Sequence, residues 1–144
     1  MIISKIIIIP LIVGVIAQLL KLIPQALKGK FNLRDLMMYG GMPSGHAAFV
    51  VSVATMAALE EGMDSTVFAV AVLFSVVIIR DSIGFRQIMG LQSRAINKIS
   101  NKVFSEEEKL PFIRERLGHT WSEVIVGALV GTALTLLINY LFFS

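Results

Sequence analysis

The chain contains two histidines, and each stands at the entrance to a long apolar run. The first closes the box Gly40-Gly41-Met42-Pro43-Ser44-Gly45-His46. Paired glycines permit tight backbone geometry and Pro43 suits the first turn of a helix. The N–H groups of Ser44, Gly45 and His46 are then expected to point outward at a helix N-terminus, where anions bind. Ser44 adds a hydroxyl donor, and His46 an imidazole that exchanges a proton near neutral pH. A plain Gly-Pro-Ser turn with a snorkelling imidazole would use the same residues.

The second histidine lies in Leu117-Gly118-His119-Thr120-Trp121-Ser122-Glu123. His119 and Glu123 are four apart, so on a helix they lie one above the other on one face. A carboxylate so placed accepts a bond from one ring nitrogen, fixes the tautomer and leaves the other nitrogen as a nucleophile. The competing reading is an interfacial His-Glu pair that only anchors its helix. Ionisable groups at the head of an apolar helix mark function by default. Cysteine is absent, which removes disulfides, thiolate catalysis and cysteine-ligated metals.

The elements that must hold these groups are unusually apolar. Of 144 residues, 56% are hydrophobic and only 16% charged, against roughly 45–50% and about 25% in soluble domains. This excludes a soluble globular domain, a disordered tail and a nucleic-acid-binding module. The net charge of +3 is scattered between apolar blocks and forms no basic stripe. The expected fold is all-α: one integral membrane helical bundle over residues 1–144, with about four spans and an interfacial helical segment.

Four blocks supply the spans. Ile2–Ile23 is long enough to cross alone, and it lacks the small-x-small site of a cleaved signal peptide, so a retained span is expected. His46–Leu59 and Thr66–Ile79 are shorter and joined by the acidic turn Glu60–Ser65, which suggests a helical hairpin. Trp121–Phe143 begins on an interfacial Trp and ends on aromatic residues. Between the last two, in Arg80–Gly118, Ile88, Leu91, Ala95, Ile96, Ile99 and Val103 recur at helical spacing. Arg94, Lys98 and Lys102 fall on other faces. This fits a helix in the membrane surface, a helix capping the bundle, or both, and the segment is long enough to close over a site as a lid.

Alternating the loops puts Lys21, His46, Arg80, Arg86 and His119 at one membrane face. Lys28, Lys30 and Arg34 join them there, and the positive-inside rule makes that face cytoplasmic, in a plasma or inner membrane. A site at the headgroup plane suits a substrate with an apolar tail and a polar head. Gly127-x-x-x-Gly131 is either a seam between copies in a homo-oligomer or close packing inside one bundle. Ser105–Glu108 has the form of a capping box, which Pro111 soon limits.

Together these fragments resemble the type 2 phosphatidic acid phosphatase superfamily, which also contains the vanadium-dependent haloperoxidases. The likeness is closer to its small divergent branch. The matching pieces, in order, are Lys21, the Gly40–His46 box, Asp81-Ser82-Ile83-Gly84-Phe85-Arg86, Gly90-Leu91-Gln92, and Leu117-Gly118-His119 with Glu123. The resemblance implies hydrolysis of a phosphomonoester through a phosphohistidine, with no cofactor and no metal. His119 would attack phosphorus and Glu123 would orient it. His46 would protonate the leaving oxygen and then act on water. Lys21, Ser44, Gly45 and Arg86 would hold the phosphoryl oxygens. Asp81 would orient Lys21 or Arg86, or pair with Arg80.

The wider superfamily places an arginine six residues before the nucleophile, where this chain has Ile113, and an aspartate where it has Glu123. Arg86 is the candidate replacement for the missing arginine. A lipid phosphate is the implied substrate: phosphatidylglycerol phosphate, phosphatidic acid or an isoprenoid phosphate. The alternative from another class is a catalytically silent membrane scaffold or lipid-binding protein of the same fold.

Overall fold

The computed structural model describes residues 5–23, 41–105, 108 and 110–143. Among these it is all-helical. In chain order the helices are α1 (Lys5–Leu20), α2 (Gly45–Glu61), α3 (Thr66–Ile83), α4 (Phe85–Val103) and α5 (Trp121–Phe143). Lys28, Lys30, Arg34 and Gly40 lie outside the described residues.

The apolar blocks become helices whose ends follow local signals. Ser44 caps α2 by accepting from the Ala47 N–H at 3.3 Å, and Ser65 caps α3 by accepting from Phe68 at 3.1 Å. Both hairpin helices run past the apolar blocks that announce them. α2 continues to Glu61, ending at Gly62 with φ +89°, and α3 continues to Ile83. α1 covers 16 residues, about 24 Å of helix. Pro43 does not occupy the first turn of α2. It precedes the Ser44 cap, and the Met42–Pro43 peptide is cis.

α2 is the centre of the bundle, packed against α1, α3 and α5. Its sequence is dominated by small residues, which let neighbouring backbones approach closely. Ile9, Val13 and Ala17 of α1 meet Ala48 and Met56 of α2, with Leu134 and Ile138 of α5 against them. Ala54, Ala57 and Ala71 join α2 to α3. Buried hydroxyls add bonds between helices: Thr135 donates to Ser52 Oγ at 2.6 Å and Ser75 to the Val50 carbonyl at 3.0 Å.

Gly127 and Gly131 face α2. A Cβ on Gly127 would fall 2.5 Å from the Ser44 carbonyl oxygen, and one on Gly131 2.5 Å from that of Ala48. The glycine pair therefore serves packing inside the bundle, as one of the two expectations held.

The remaining apolar surface points outward. Leu11, Val15 and Leu19 of α1, Val70, Leu73 and Phe74 of α3, and Ile125 and Leu129 of α5 are each more than half or about half exposed. The stretch from α3 into α4, and α5, are long and apolar enough to cross a membrane, and less than a quarter of either window is buried in the bundle. Water would not tolerate so continuous an apolar belt, whereas hydrocarbon does. The protein is an integral membrane helical bundle.

Gly84 separates α3 from α4, and α4 turns its polar stripe inward. Gly90, Ser93, Asn97 and Ser100 are buried, while Ile88, Leu91, Ile99 and Val103 are more than half exposed. The buried stripe carries a strap, residues 110–118. Asn97 donates to the Ile113 carbonyl at 2.7 Å and to Glu115 Oε1 at 3.0 Å, and its Oδ1 accepts from the Ile113 N–H at 3.0 Å. Ser100 Oγ accepts from Leu110, and Arg94 pairs with Glu115 at 3.2 Å. Asn97 is also the main reason the Glu115 carboxyl is held below its usual range. An apolar face turned out and a polar face turned in is the arrangement of a helix lying against lipid.

The α2–α5 contact yields a direct test. Gly131→Val should destabilise the protein by about 1–3 kcal/mol, the usual range for overpacking. Thermal unfolding in detergent would show the loss, and an unchanged midpoint would mean that the two helices have room to spare.

Candidate active site

The N-termini of α2 and α5 meet at one end of the bundle. The Ser44 N–H donates to the Glu123 carbonyl at 2.9 Å, and Gly127 lets α5 lie directly against Ser44. This contact sets the two imidazoles side by side. The rings of His46 and His119 are 5.8 Å apart between centroids and inclined at 66°.

His119 is held on several sides. Its N–H donates to the Ser82 carbonyl at 3.0 Å, and its own carbonyl accepts from Gln87 Nε2 at 2.6 Å. Gly118 fits beneath because a Cβ there would meet the Gln87 backbone nitrogen at 2.9 Å and the Ser82 carbonyl oxygen at 3.0 Å. Nδ1 lies 2.9 Å from Glu123 Oε2. A carboxylate partner makes Nδ1 the protonated nitrogen and leaves the Nε2 lone pair available.

Glu123, only 6% exposed, is itself bound from several directions. Oε2 accepts from the Thr120 N–H at 3.2 Å while Thr120 Oγ1 accepts from the Glu123 N–H at 3.4 Å, a reciprocal capping box at the start of α5. Oε1 accepts from Arg116 Nη2 at 3.0 Å. The carboxylate is thus fixed by the helix start before it meets the imidazole.

The other expected residues gather at the same place. Lys21 follows α1, with its side chain about 4 Å from where a Gly41 Cβ would lie. Gly41 has φ +92°, a conformation that favours glycine. Lys21 and Arg86 act electrostatically on both His46 and His119, and Asp81 acts on His46. Asp81 pairs with Arg86 at 2.7 Å across the Gly84 break, one of the three cations expected for it beside Lys21 and Arg80. Asp81, Arg86, Met89 and Leu117 line a cleft of about 350 Å³.

Ser44, fully buried, presents its hydroxyl at the first turn of α2. Its N–H is not free for an anion, because the Glu123 carbonyl takes it. The N–H groups of Gly45 and His46, the first residues of α2, are left without helical partners by their position.

Three features of the site lie outside the sequence reading. Gln92 is exposed, and Gln87 is the glutamine that reaches His119, because it lies on the side of α4 facing the strap. Arg116, three residues before His119, engages Glu123, whereas Ile113 spends its backbone on Asn97. The functional capping box is Thr120-x-x-Glu123. The Ser105–Glu108 pair is present but exposed, with Ser105 Oγ 3.2 Å from Glu108 Oε2. The Thr-x-x-Glu spacing before an apolar run was the signal that would have found the first.

Burial pushes His119 below the ordinary imidazole pKa. The Glu123 hydrogen bond pulls it back only in part, and Lys21 and Arg86 push it down further. Burial likewise lowers Lys21, against the pull of Glu123. His119 is therefore neutral at pH 7. Its midpoint, followed by NMR of the labelled imidazole in detergent, should lie below the usual value of about 6.5 and fall further in Glu123→Gln. A midpoint above the usual value would show that the carboxylate outweighs burial.

No solved structure matches the chain. A similar curated protein is the uncharacterized membrane protein YuiD of Bacillus subtilis (strain 168). It is 41% identical over 115 residues, which cover 72% of this chain and 73% of that protein. The family model described as the divergent PAP2 family matches residues 2–134, a stretch that holds both imidazoles, and the chain belongs to that family.

Proposed function

We propose that the protein hydrolyses a lipid phosphomonoester at the cytoplasmic face of the membrane, through a phosphohistidine on His119. The observation that carries this reading is the 5.8 Å separation of two imidazoles, one of them backed by a buried carboxylate at 2.9 Å. That spacing lets one ring come within ~3–3.5 Å of phosphorus while the other stays within ~2.6–3.2 Å of an ester oxygen.

In the first step Nε2 of His119 attacks phosphorus in line. The P–O bond to the lipid alcohol breaks, and protonated His46 gives its proton to the departing oxygen. Glu123 keeps Nδ1–H in place and stabilises the positive charge that grows on the His119 ring. In the second step His46, now neutral, takes a proton from water as the water oxygen attacks phosphorus. The P–N bond breaks and inorganic phosphate leaves.

The transferred group stays anionic throughout, so stabilisation comes from positioned donors and cations. Lys21, Arg86, the Ser44 hydroxyl and the N–H of Gly45 have that role. Asp81 holds the Arg86 guanidinium in position. The gathering of these groups at one end of the bundle favours a substrate whose phosphate lies at the headgroup plane.

Purified protein should release phosphate from vesicles or micelles containing phosphatidylglycerol phosphate, phosphatidic acid or an isoprenoid phosphate, and should continue to do so in EDTA. His119→Ala should lower the rate by at least about 10⁴-fold, as loss of a nucleophile does. His46→Ala should lower it by about 10²–10⁴-fold, the range for general acid–base catalysis. The acid limb of the rate should follow the lowered His119 midpoint, activity rising as that ring loses its proton. Release from none of these lipids would leave a silent scaffold as the better description, and equal release by His119→Ala would overturn the phosphohistidine on that residue.

A further inference from the structure

A second cleft, of about 510 Å³, begins at His46 and runs away from the catalytic end of the bundle. Leu11, Val15 and Leu19 of α1 form one wall and Phe74 and Ile78 of α3 the other, with Phe49 of α2 between them. Gly14 gives the cleft its depth, since a Cβ there would be in contact with the Phe49 ring at 3.4 Å. Leu11, Val15, Leu19 and Phe74 are about half exposed or more, so the cleft opens sideways toward lipid. From Leu11 to Gln18 it follows α1 for about 10 Å.

Polar groups are confined to its upper end. There Gln18 lies over the first turn of α2, with Cδ and Oε1 each 3.2 Å from where a Gly45 Cβ would sit. Gln18 Oε1 and His46 Nδ1 are both buried with no hydrogen-bond partner among the described residues. Two unpartnered polar atoms at the head of an apolar cleft are unfavourable unless something meets them there.

We infer that this cleft seats the upper part of one hydrocarbon chain of the substrate. The Gln18 amide then bonds the first oxygen function between phosphate and tail, its oxygen accepting from a hydroxyl or its N–H donating to an ester oxygen. The inference rests on the lipid-phosphatase reading and specifies how the lipid is presented. A chain gains little by moving from bilayer hydrocarbon to an equally apolar protein wall. The contribution is therefore orientation: a chain held along α1 brings its phosphate up to His46 and His119 without leaving the membrane. Gln18 separates lipids that carry an oxygen function near the phosphate from simple alkyl phosphates.

The test compares a long-chain diacyl lipid phosphomonoester, a long-chain alkyl phosphate and a short water-soluble alkyl phosphate, each assayed for phosphate release in detergent micelles. Val15→Trp, a lipid-facing change that fills the cleft, should lower the kcat/KM ratio of the long-chain diacyl lipid to the short phosphate at least tenfold. Leu129→Trp, equally lipid-facing on α5 but away from the cleft, should leave that ratio as it is. Gln18→Leu should raise KM for the diacyl lipid severalfold while leaving kcat, and should not raise it for the long-chain alkyl phosphate. An unaltered ratio in Val15→Trp, or a Gln18→Leu effect that is the same for all three substrates, overturns the assignment while the phosphatase reading stands. Absence of release from all three by the unmodified protein overturns both.

Discussion

The site depends on how closely α5 can approach α2. Gly127 and Gly131 present no side chain to the Ser44 and Ala48 carbonyls, and the Ser44 N–H closes the contact on the Glu123 carbonyl. Two helix N-termini are thereby brought together, one carrying His46 in its first turn and the other preceded by His119. A bulkier residue at either glycine would separate the helices and with them the imidazoles. The packing contact and the site are the same place, so the bundle cannot loosen at this seam without changing the 5.8 Å geometry of the two imidazoles.

A second constraint is the solvent. In hydrocarbon the helices gain little from burying leucine or valine against one another. They are held instead by small residues, buried hydroxyls and backbone approach. This explains why the interior is rich in alanine, serine and glycine while the large aliphatic residues lie outside. It also explains α4, whose apolar face is turned away from the protein and whose polar face carries the strap that ends at His119. Asn97 and Gln87 hold the strap at points about ten residues apart on α4, and through it they fix where the His119 imidazole sits.

Much of this was legible in the sequence because the bilayer imposes strong rules. Block length and composition were sufficient for a membrane bundle, and the i, i+4 spacing of His119 and Glu123 was sufficient for their contact. The convergence of Lys21, His46, Arg86 and His119 followed from counting spans. What the pattern left open was direction and partnership. Helical periodicity located the apolar stripe of α4 without saying whether protein or lipid faced it. The resemblance left Asp81 three cationic candidates, Lys21, Arg86 and Arg80, because that choice depends on the rotation of α4 after the Gly84 break. The N–H of Ser44, which looked available to an anion, is used in tertiary packing that no local motif records.

The central claim is that His119 carries the phosphoryl group between the two halves of the reaction. Rapid quenching in alkali during turnover of a lipid phosphate labelled with ³²P, followed by peptide mapping, tests it most directly. A base-stable, acid-labile label on the peptide containing residue 119, absent from His119→Ala, is the predicted result. Steady hydrolysis with no trapped label, or a label on another residue, would contradict it.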